Sequence, residues 1–176
     1  MDVNNVPGFS VLWIPPPHSW VKLNTDGSVQ SGSASCGGLL RGEDGEFLFA
    51  FSTRLGECSI MLAELWGILI GLGLVAARGF HNIIIDSYSK SAIALIHEGC
   101  HQSHPCAAII RNIWDIAKEL HVCFNHVFRE VNAPADLLSK YGHGVDQDVE
   151  VFDSVLAFLS LALLADRSAT VFSRGV

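Results

Sequence analysis

The longest apolar stretch of the chain, residues 60–77, restricts the possible folds more than any other sequence feature. It carries a single charged residue, Glu64, near its beginning. A helix that crosses a bilayer needs about 20 apolar residues, and both Glu64 and three glycines interrupt this stretch. Ser59 is a suitable N-cap, and Gly79 is a natural stop after Arg78. The stretch therefore predicts a helix buried inside a folded domain, and we expect no membrane partner.

The composition supports a folded domain with an acidic surface. Of 176 residues, 49% are hydrophobic and 16% are charged, against about 25% charged in an average soluble domain. The 11 basic and 18 acidic side chains give a net charge of −7. This charge excludes a general basic nucleic-acid binder and a polybasic membrane binder, although a local basic groove stays possible.

The cysteines indicate a reducing compartment. Their number is five, which is odd, and none has CxxC spacing, so a secreted disulfide framework is not favoured. Residues 1–10 lack the features of a signal peptide. We therefore expect a cytoplasmic or nuclear location. The stretch from His97 to Cys106 holds zinc-compatible side chains but no paired knuckles, and a polar loop between helices is the favoured interpretation.

The hydrophobic periodicity predicts nine elements in the order βββαβααβα. The strands are expected at 21–26, 36–40, 46–53, 83–85 and 122–129, and the helices at 59–78, 89–97, 105–120 and 133–140. Short connections make the first three strands an antiparallel meander. The order implies an α/β domain over residues 21–143, with a mixed five-stranded sheet flanked by helices. Residues 1–20 are expected to be a linker, and residues 144–176 a C-terminal tail.

Four carboxylates lie at the ends of these elements rather than on solvated faces: Asp26, Glu64, Asp86 and Asp136. An acidic side chain beside an apolar run is costly unless it is paired, hydrogen-bonded or bound to a metal. Taken singly, Asp26 fits an ordinary turn and Asp136 fits the first turn of a helix. As a group without nearby cations, they suit hard divalent ions such as Mg²⁺. No GxSxG, P-loop or GxGxxG motif points to another chemistry.

Several segments together resemble ribonuclease H, most closely the ribonuclease H-like domains of plant non-LTR retrotransposons. The segments are KLNTDGS (22–28), AELWGILIGL (63–72), the strand at 83–86 with SKSAIALI (89–96), and HVFREVNAPADLLSK (126–140). The resemblance implies a sheet of order 3-2-1-4-5. It also implies cleavage of the RNA strand of an RNA–DNA hybrid with Mg²⁺ or Mn²⁺, using two ions held by an Asp, Glu, Asp, Asp set.

Residue by residue, the resemblance assigns Asp26, Glu64 and Asp136 to the first, second and last positions of that set. At the third position the family has Glu-x-Asp-Ser, and an ungapped match places Asp86 on the Glu and Tyr88 on the catalytic Asp. Asp86 can serve as the third metal ligand only if the strand end slips by two residues or bulges. Two hypotheses follow: a metal-dependent endoribonuclease that uses Asp86, or an impaired domain that keeps the fold and acts in binding.

The resemblance also suggests substrate contacts around the acidic set. The backbone at Gly27 and Ser28 is expected near RNA 2′-hydroxyl groups, with Asn24 facing the same way. Ser89 and Lys90, at the start of the next helix, could hold a phosphate. His143, in a loop between two glycines, could assist proton transfer, and an ordinary linker role is an equal alternative. Protein partners stay open.

Overall fold

The computed structural model describes residues 12–146 and 148–173. Strands and helices follow one another as β1 Val21–Gln30, β2 Ser33–Arg41, β3 Phe47–Gly56, α1 Ile60–Ala77, β4 Asn82–Ser87, α2 Lys90–Glu98, α3 Ala107–Ala117, β5 His121–His126, α4 Ala133–Tyr141, β6 Glu150–Phe152 and α5 Ser160–Ser173. Short 3₁₀ turns occupy Arg129–Asn132, Gly142–Gly144 and Ala157–Leu159.

The sheet has six strands in the order β5-β4-β1-β2-β3-β6. Strands β1, β2 and β3 form the antiparallel meander, whereas β1–β4 and β4–β5 are parallel pairs. The α/β class and the order 3-2-1-4-5 are therefore confirmed. The sixth strand, β6, pairs antiparallel with β3 and comes from the segment expected to be a tail. Its three residues are too short to carry a strand pattern of their own.

Helix α1 begins and ends where the caps predict. The Ser59 hydroxyl accepts a hydrogen bond from the backbone N–H of Leu62 at 3.2 Å, and Gly79 has φ +82° just beyond the helix. By length and composition alone this helix could cross a membrane. In the structure it packs on the sheet and on α3, and its inward residues, which include Leu65, Ile68 and Leu72, are fully buried.

Each face of the sheet has its own hydrophobic core. The larger core joins β1, β2, β3, β4 and β5 to α1, α2 and α3 through aliphatic and aromatic side chains. The smaller core covers the other face, where Leu39 and Ala50 meet Ala135 and Leu138 of α4, and Leu159. Alternation along β1 places Leu23 towards α1 and leaves Asn24 and Asp26 on the α4 face. Asp26 therefore lies in the middle of β1, on the face that α4 covers.

Both terminal segments contact the sheet through Arg41, which is 1% exposed. The guanidinium stacks on the ring of Trp13 at 3.7 Å, and its Nη1 donates to Asp166 Oδ2 at 2.6 Å. Residue 13 comes from the expected linker and residue 166 from the expected tail. The first eleven residues of that linker, with residues 147 and 174–176 of the tail, lie outside the described residues.

Candidate active site

The candidate site lies where β1 and β4 separate. The last parallel pair is Thr25 with Ser87, so the next residue of β1, Asp26, stands beside the end of β4. Its side chain is 7% exposed. Ser139 of α4 donates a hydrogen bond from Oγ to Asp26 Oδ2 at 3.0 Å. This hydrogen bond, donated by a residue of α4, holds the Asp26 carboxylate in one orientation.

Glu64 reaches the site from the first turns of α1. Its carboxylate accepts a hydrogen bond from the backbone N–H of Gly27, and it also lies in hydrogen-bonding contact with Asp26. A Cβ atom at position 27 would lie 2.6 Å from the backbone nitrogen of Glu64. Glycine is therefore required at position 27 because the helix touches the strand backbone there.

Asp136 comes from the first turn of α4 and is the most solvated of the three carboxylates. Its Oδ2 accepts from Lys140 Nζ at 2.7 Å, one helical turn later. Asn132, just before the helix, donates to the carbonyl of Thr25 at 2.9 Å and accepts from Asn24 Nδ2 at 3.1 Å. These two bonds tie the start of α4 to the strand that carries Asp26.

Burial and mutual repulsion raise the pKa values of the two inner carboxylates. Burial, partly offset by the Ser139 hydrogen bond, raises the pKa of Asp26 to about 6. Burial first, and then the charges of Asp26 and Asp136, raise the pKa of Glu64 to about 9. Glu64 Oε2 is buried without a hydrogen-bond partner. An unpartnered carboxylate oxygen between two further acids is costly, and a cation would remove that cost.

The three carboxylates line one cleft of about 240 Å³ together with Gly27, Ile60, Tyr88, Arg129 and Asn132. Within residues 12–146 and 148–173, no group of three or more acidic, histidine or cysteine side chains is already arranged as a metal-binding cluster. The donor set nevertheless fits a hard divalent cation, since all three groups are carboxylates and one has an unpartnered buried oxygen. Tyr88 lines the same cleft with a phenol ring rather than a fourth carboxylate.

Asp86 lies outside this cleft. Its carboxylate is 3.3 Å from Lys22 Nζ and accepts a weak hydrogen bond of 3.4 Å from Asn125 Nδ2. The β1–β4 register runs without interruption through Asn24 and Asp86, so the strand neither slips nor bulges there. The structure thus brings Asp26, Glu64 and Asp136 together, with Tyr88 beside them. Asp86 instead lines a separate pocket.

The expected substrate-contact residues occupy different environments. Asn24 is fully buried, and its Oδ1 accepts from Trp13 Nε1 and Arg41 Nη2. Ser28 Oγ lies 2.9 Å from His143 Nε2. Ser89 caps α2 by accepting from the N–H of Ala92, and Lys90 is exposed in the first turn of that helix. Gly27 is thus the one member of this group that lines the cleft.

Ser139, Asn132 and Arg129 belong to the site although no motif in the sequence pointed to them. Ser139 could have been found, because a residue three positions after Asp136 shares its face of a helix. In the stretch from His97 to Cys106, His97 contacts the Phe124 carbonyl through Nε2 at 3.0 Å.

A mixed sheet of this order, with carboxylates from β1, α1 and α4 in one cleft, defines a ribonuclease H-like domain. The family model described as "Reverse transcriptase-like" matches residues 24–142, and the chain belongs to that family. It is 32% identical over 167 residues to an Arabidopsis thaliana protein named "Putative ribonuclease H protein". The match covers 93% of this chain and 27% of the relative, so the chain spans about a quarter of that protein's length.

Solved structures with the same fold include ribonucleases H of type 1. The enzyme of the halophilic archaeon Halobacterium salinarum superposes with a TM-score of 0.66 at 19% identity, over 71% of this chain and 98% of that one. LC11-RNase H1, solved in complex with an RNA/DNA hybrid, gives a TM-score of 0.63 at 22% identity, over 69% and 94%. The resemblance to ribonuclease H is therefore confirmed at the level of fold and family.

Proposed function

We propose that this chain is a retroelement-derived ribonuclease H domain that binds RNA–DNA hybrids at the carboxylate cleft and whose hydrolysis is impaired by Tyr88. One observation carries the proposal: Asp26, Glu64 and Asp136 line a single cleft with Tyr88, while Asp86 is paired with Lys22 elsewhere. The Arabidopsis relative and the reverse transcriptase-like family support a plant retroelement origin.

Mg²⁺ or Mn²⁺ would be held by Asp26, Glu64 and Asp136. In phosphodiester cleavage such ions activate a water molecule and stabilise the leaving oxygen. The protein's own part is to orient the carboxylates, through Ser139 for Asp26 and the Gly27 N–H for Glu64. The two-ion arrangement implied by the resemblance needs a further carboxylate, and Tyr88 supplies a phenol at that position. We infer a site for one ion with weakened hydrolysis.

An active endoribonuclease that uses Asp86 is the second candidate, and the three assembled carboxylates favour it. For this reaction Asp86 would have to leave Lys22 and Asn125 and turn towards the cleft. Its side-chain exposure of 5% and its buried ion pair oppose that movement. The substrate strand would be recognised around Gly27 and Ser28, with a phosphate near Ser89 and Lys90 at the start of α2.

Cleavage and binding of a labelled RNA–DNA hybrid, measured in parallel with Mg²⁺ and with Mn²⁺, test the proposal. The wild type should bind the hybrid and cleave it slowly or not at all. Tyr88→Asp should gain cleavage, and Tyr88→Asp combined with Asp26→Asn should lose it again. Tyr88→Phe is the matched control, because it keeps the ring and adds no carboxylate.

Three outcomes separate the candidates. Wild-type cleavage that disappears in an Asp86→Asn variant that stays folded and still binds the hybrid would support the active enzyme and overturn the impairment. Cleavage that appears only in Tyr88→Asp would support an impaired ribonuclease H. Failure of every variant to bind the hybrid would refute both candidates, since both place the hybrid in the same cleft.

A further inference from the structure

A second and larger pocket lies beside the carboxylate cleft. It has a volume of about 490 Å³ and is formed by the N-terminal segment, the ends of β4 and β5, and the turn after β5. Its lining includes Trp13, Lys22, Asp86, Asn125, His126 and Phe128. Pockets of roughly 300–1,000 Å³ suit small organic groups, including single nucleotides.

A row of three aromatic rings connects this pocket to the cleft. The ring centroids of Tyr88 and His126 are 6.2 Å apart, and those of His126 and Phe128 are also 6.2 Å apart. Tyr88 lines the cleft, and the other two line the pocket. Tyr88 is 46% exposed and Phe128 is 40% exposed. The Tyr88 and His126 rings are inclined to each other at 31°, and the His126 and Phe128 rings at 66°. Each exposed ring therefore offers its own face to a stacked flat ligand.

Polar groups of the same pocket suit the edge of a nucleobase. The Asn125 side-chain amide can both donate and accept hydrogen bonds, and the Asp86 carboxylate can accept them. Lys22 neutralises Asp86 across 3.3 Å, so this part of the wall does not repel an anionic strand. Arg129 stands in the lining of the carboxylate cleft and adds positive charge there.

We propose that the row Tyr88–His126–Phe128 and the adjoining pocket bind unpaired nucleobases of a single strand. This inference rests on the proposed function in one respect, namely that the strand continues from the hybrid held in the carboxylate cleft. Stacking on aromatic rings is tolerant of sequence, because every base presents a flat face. The substrate would accordingly be a hybrid that ends in a single-stranded overhang rather than a blunt hybrid.

Equilibrium binding of labelled oligonucleotides tests this site directly. Single-stranded RNA and DNA of about eight nucleotides, a length within the range of single-strand binding sites, are compared with abasic DNA of equal length and with a blunt hybrid. Phe128→Ala removes one ring of the row. Trp66→Ala is the matched control, because Trp66 is 39% exposed on α1 and lies outside this pocket. His126→Ala replaces Phe128→Ala if that variant does not fold.

The expected result is that a single strand with bases binds more tightly than abasic DNA. We expect Phe128→Ala to weaken that binding by about tenfold, in line with the usual effect of one lost stacking contact. Trp66→Ala should leave it unchanged. The RNA and DNA arms show which strand the site accepts.

Failure of this inference differs from failure of the proposed function. If the blunt hybrid binds while single strands bind no better than abasic DNA, the base site is refuted and the hybrid site stands. If single strands bind and the hybrid does not, the hybrid site fails and the base site stands. Equal binding of single strands by Phe128→Ala and the wild type would overturn the assignment to this aromatic row.

Discussion

The Lys22 ammonium lies 3.3 Å from the Asp86 carboxylate, and both side chains are nearly excluded from solvent, with 11% and 5% exposure. Lys22 also donates to the Ile14 carbonyl at 2.7 Å. Asp86 is therefore committed to a buried ion pair between β1 and β4. A carboxylate in this position serves first to neutralise the lysine, because an unpaired buried charge is costly.

Asp86→Asn should destabilise the fold and leave metal binding unchanged. The substitution leaves the Lys22 charge without its counter-ion, at an expected cost of about 1–3 kcal/mol in the free energy of unfolding. Urea unfolding and Mn²⁺ calorimetry measure the two effects. Asp115→Asn is the control, because its pair with Lys118 is exposed and should contribute less than about 1 kcal/mol. Loss of Mn²⁺ binding in Asp86→Asn would instead place Asp86 in the metal site.

In metal-free buffer, stability should fall as pH rises from about 4 to 9. The folded-state pKa of Asp26 lies above its ordinary value of 3.8, at about 6, and that of Glu64 lies above 4.5, at about 9. The folded state thus holds these protons more tightly than the unfolded state. Below the ordinary pKa values, the two protonated carboxyl groups make their full contribution to the stability of the fold. That contribution disappears as pH passes through the raised pKa values.

Urea unfolding of the wild type and Glu64→Gln across this pH range isolates the effect. Because the variant cannot ionise at position 64, it should gain stability relative to the wild type as pH rises. Excess Mg²⁺ should reduce the fall in the wild type, since the cation favours the charged carboxylates. Parallel stability curves for the two proteins would contradict the raised pKa of Glu64.

Asp166→Ala should cost about 3 kcal/mol, because it leaves the buried Arg41 guanidinium without its carboxylate partner. Arg41 Nε already lacks a hydrogen-bond partner, and its Nη2 donates to Asn24 Oδ1 at 3.0 Å. The effect should therefore reach the Asn24–Asn132 contact beside the cleft. Asp153→Ala is the control, since Asp153 is 75% exposed in its pair with Arg78.

The same contacts predict that a fragment limited to residues 21–143 unfolds at a lower urea concentration than the whole chain. Such a fragment lacks both Trp13 and Asp166, and it leaves the Arg41 guanidinium without its stacking ring and its carboxylate partner. Equal midpoints for the fragment and the whole chain would show that the terminal segments contribute nothing to the stability of the domain.

Gly37→Ala should both destabilise the protein and weaken Mn²⁺ binding. A Cβ atom at position 37 would lie 2.6 Å from the carbonyl carbon of Leu138, in the backbone of α4. The helix must then move away from β2, at a cost of about 1–3 kcal/mol, and it carries Asp136 and Ser139 with it. Gly144→Ala is the control, because a Cβ atom there meets nothing within 4 Å. Unchanged metal affinity in Gly37→Ala would show that α4 keeps its position.

Local features of the sequence predicted most of the elements. Ser59 and Gly79 bound α1 in the structure as their capping chemistry requires, and the apolar run at 83–85 is the centre of β4. The boundaries of β1, β2 and β3 were predicted too short, because their outer ends are held by cross-strand partners rather than by an alternating pattern. Strand β5, predicted to run to residue 129, ends at His126. Strand β6 was missed for the same reason, since its three residues are defined by pairing with β3.

The sequence by itself determined the element order and placed Glu64 and Asp136 near the starts of their helices, because periodicity and capping act over a few residues. Asp26, predicted at the end of β1, lies within that strand, since β1 continues to Gln30. The family resemblance had grouped Asp26, Glu64 and Asp136, and only the tertiary structure decided between Asp86 and Tyr88 as their neighbour. The unbroken β1–β4 register directs Asp86 to Lys22, and Tyr88 comes to stand in the cleft. The docking of α5 brings Asp166 to Arg41, 125 positions away in the chain. Such contacts depend on how separate elements pack, and no local pattern of residues encodes that packing.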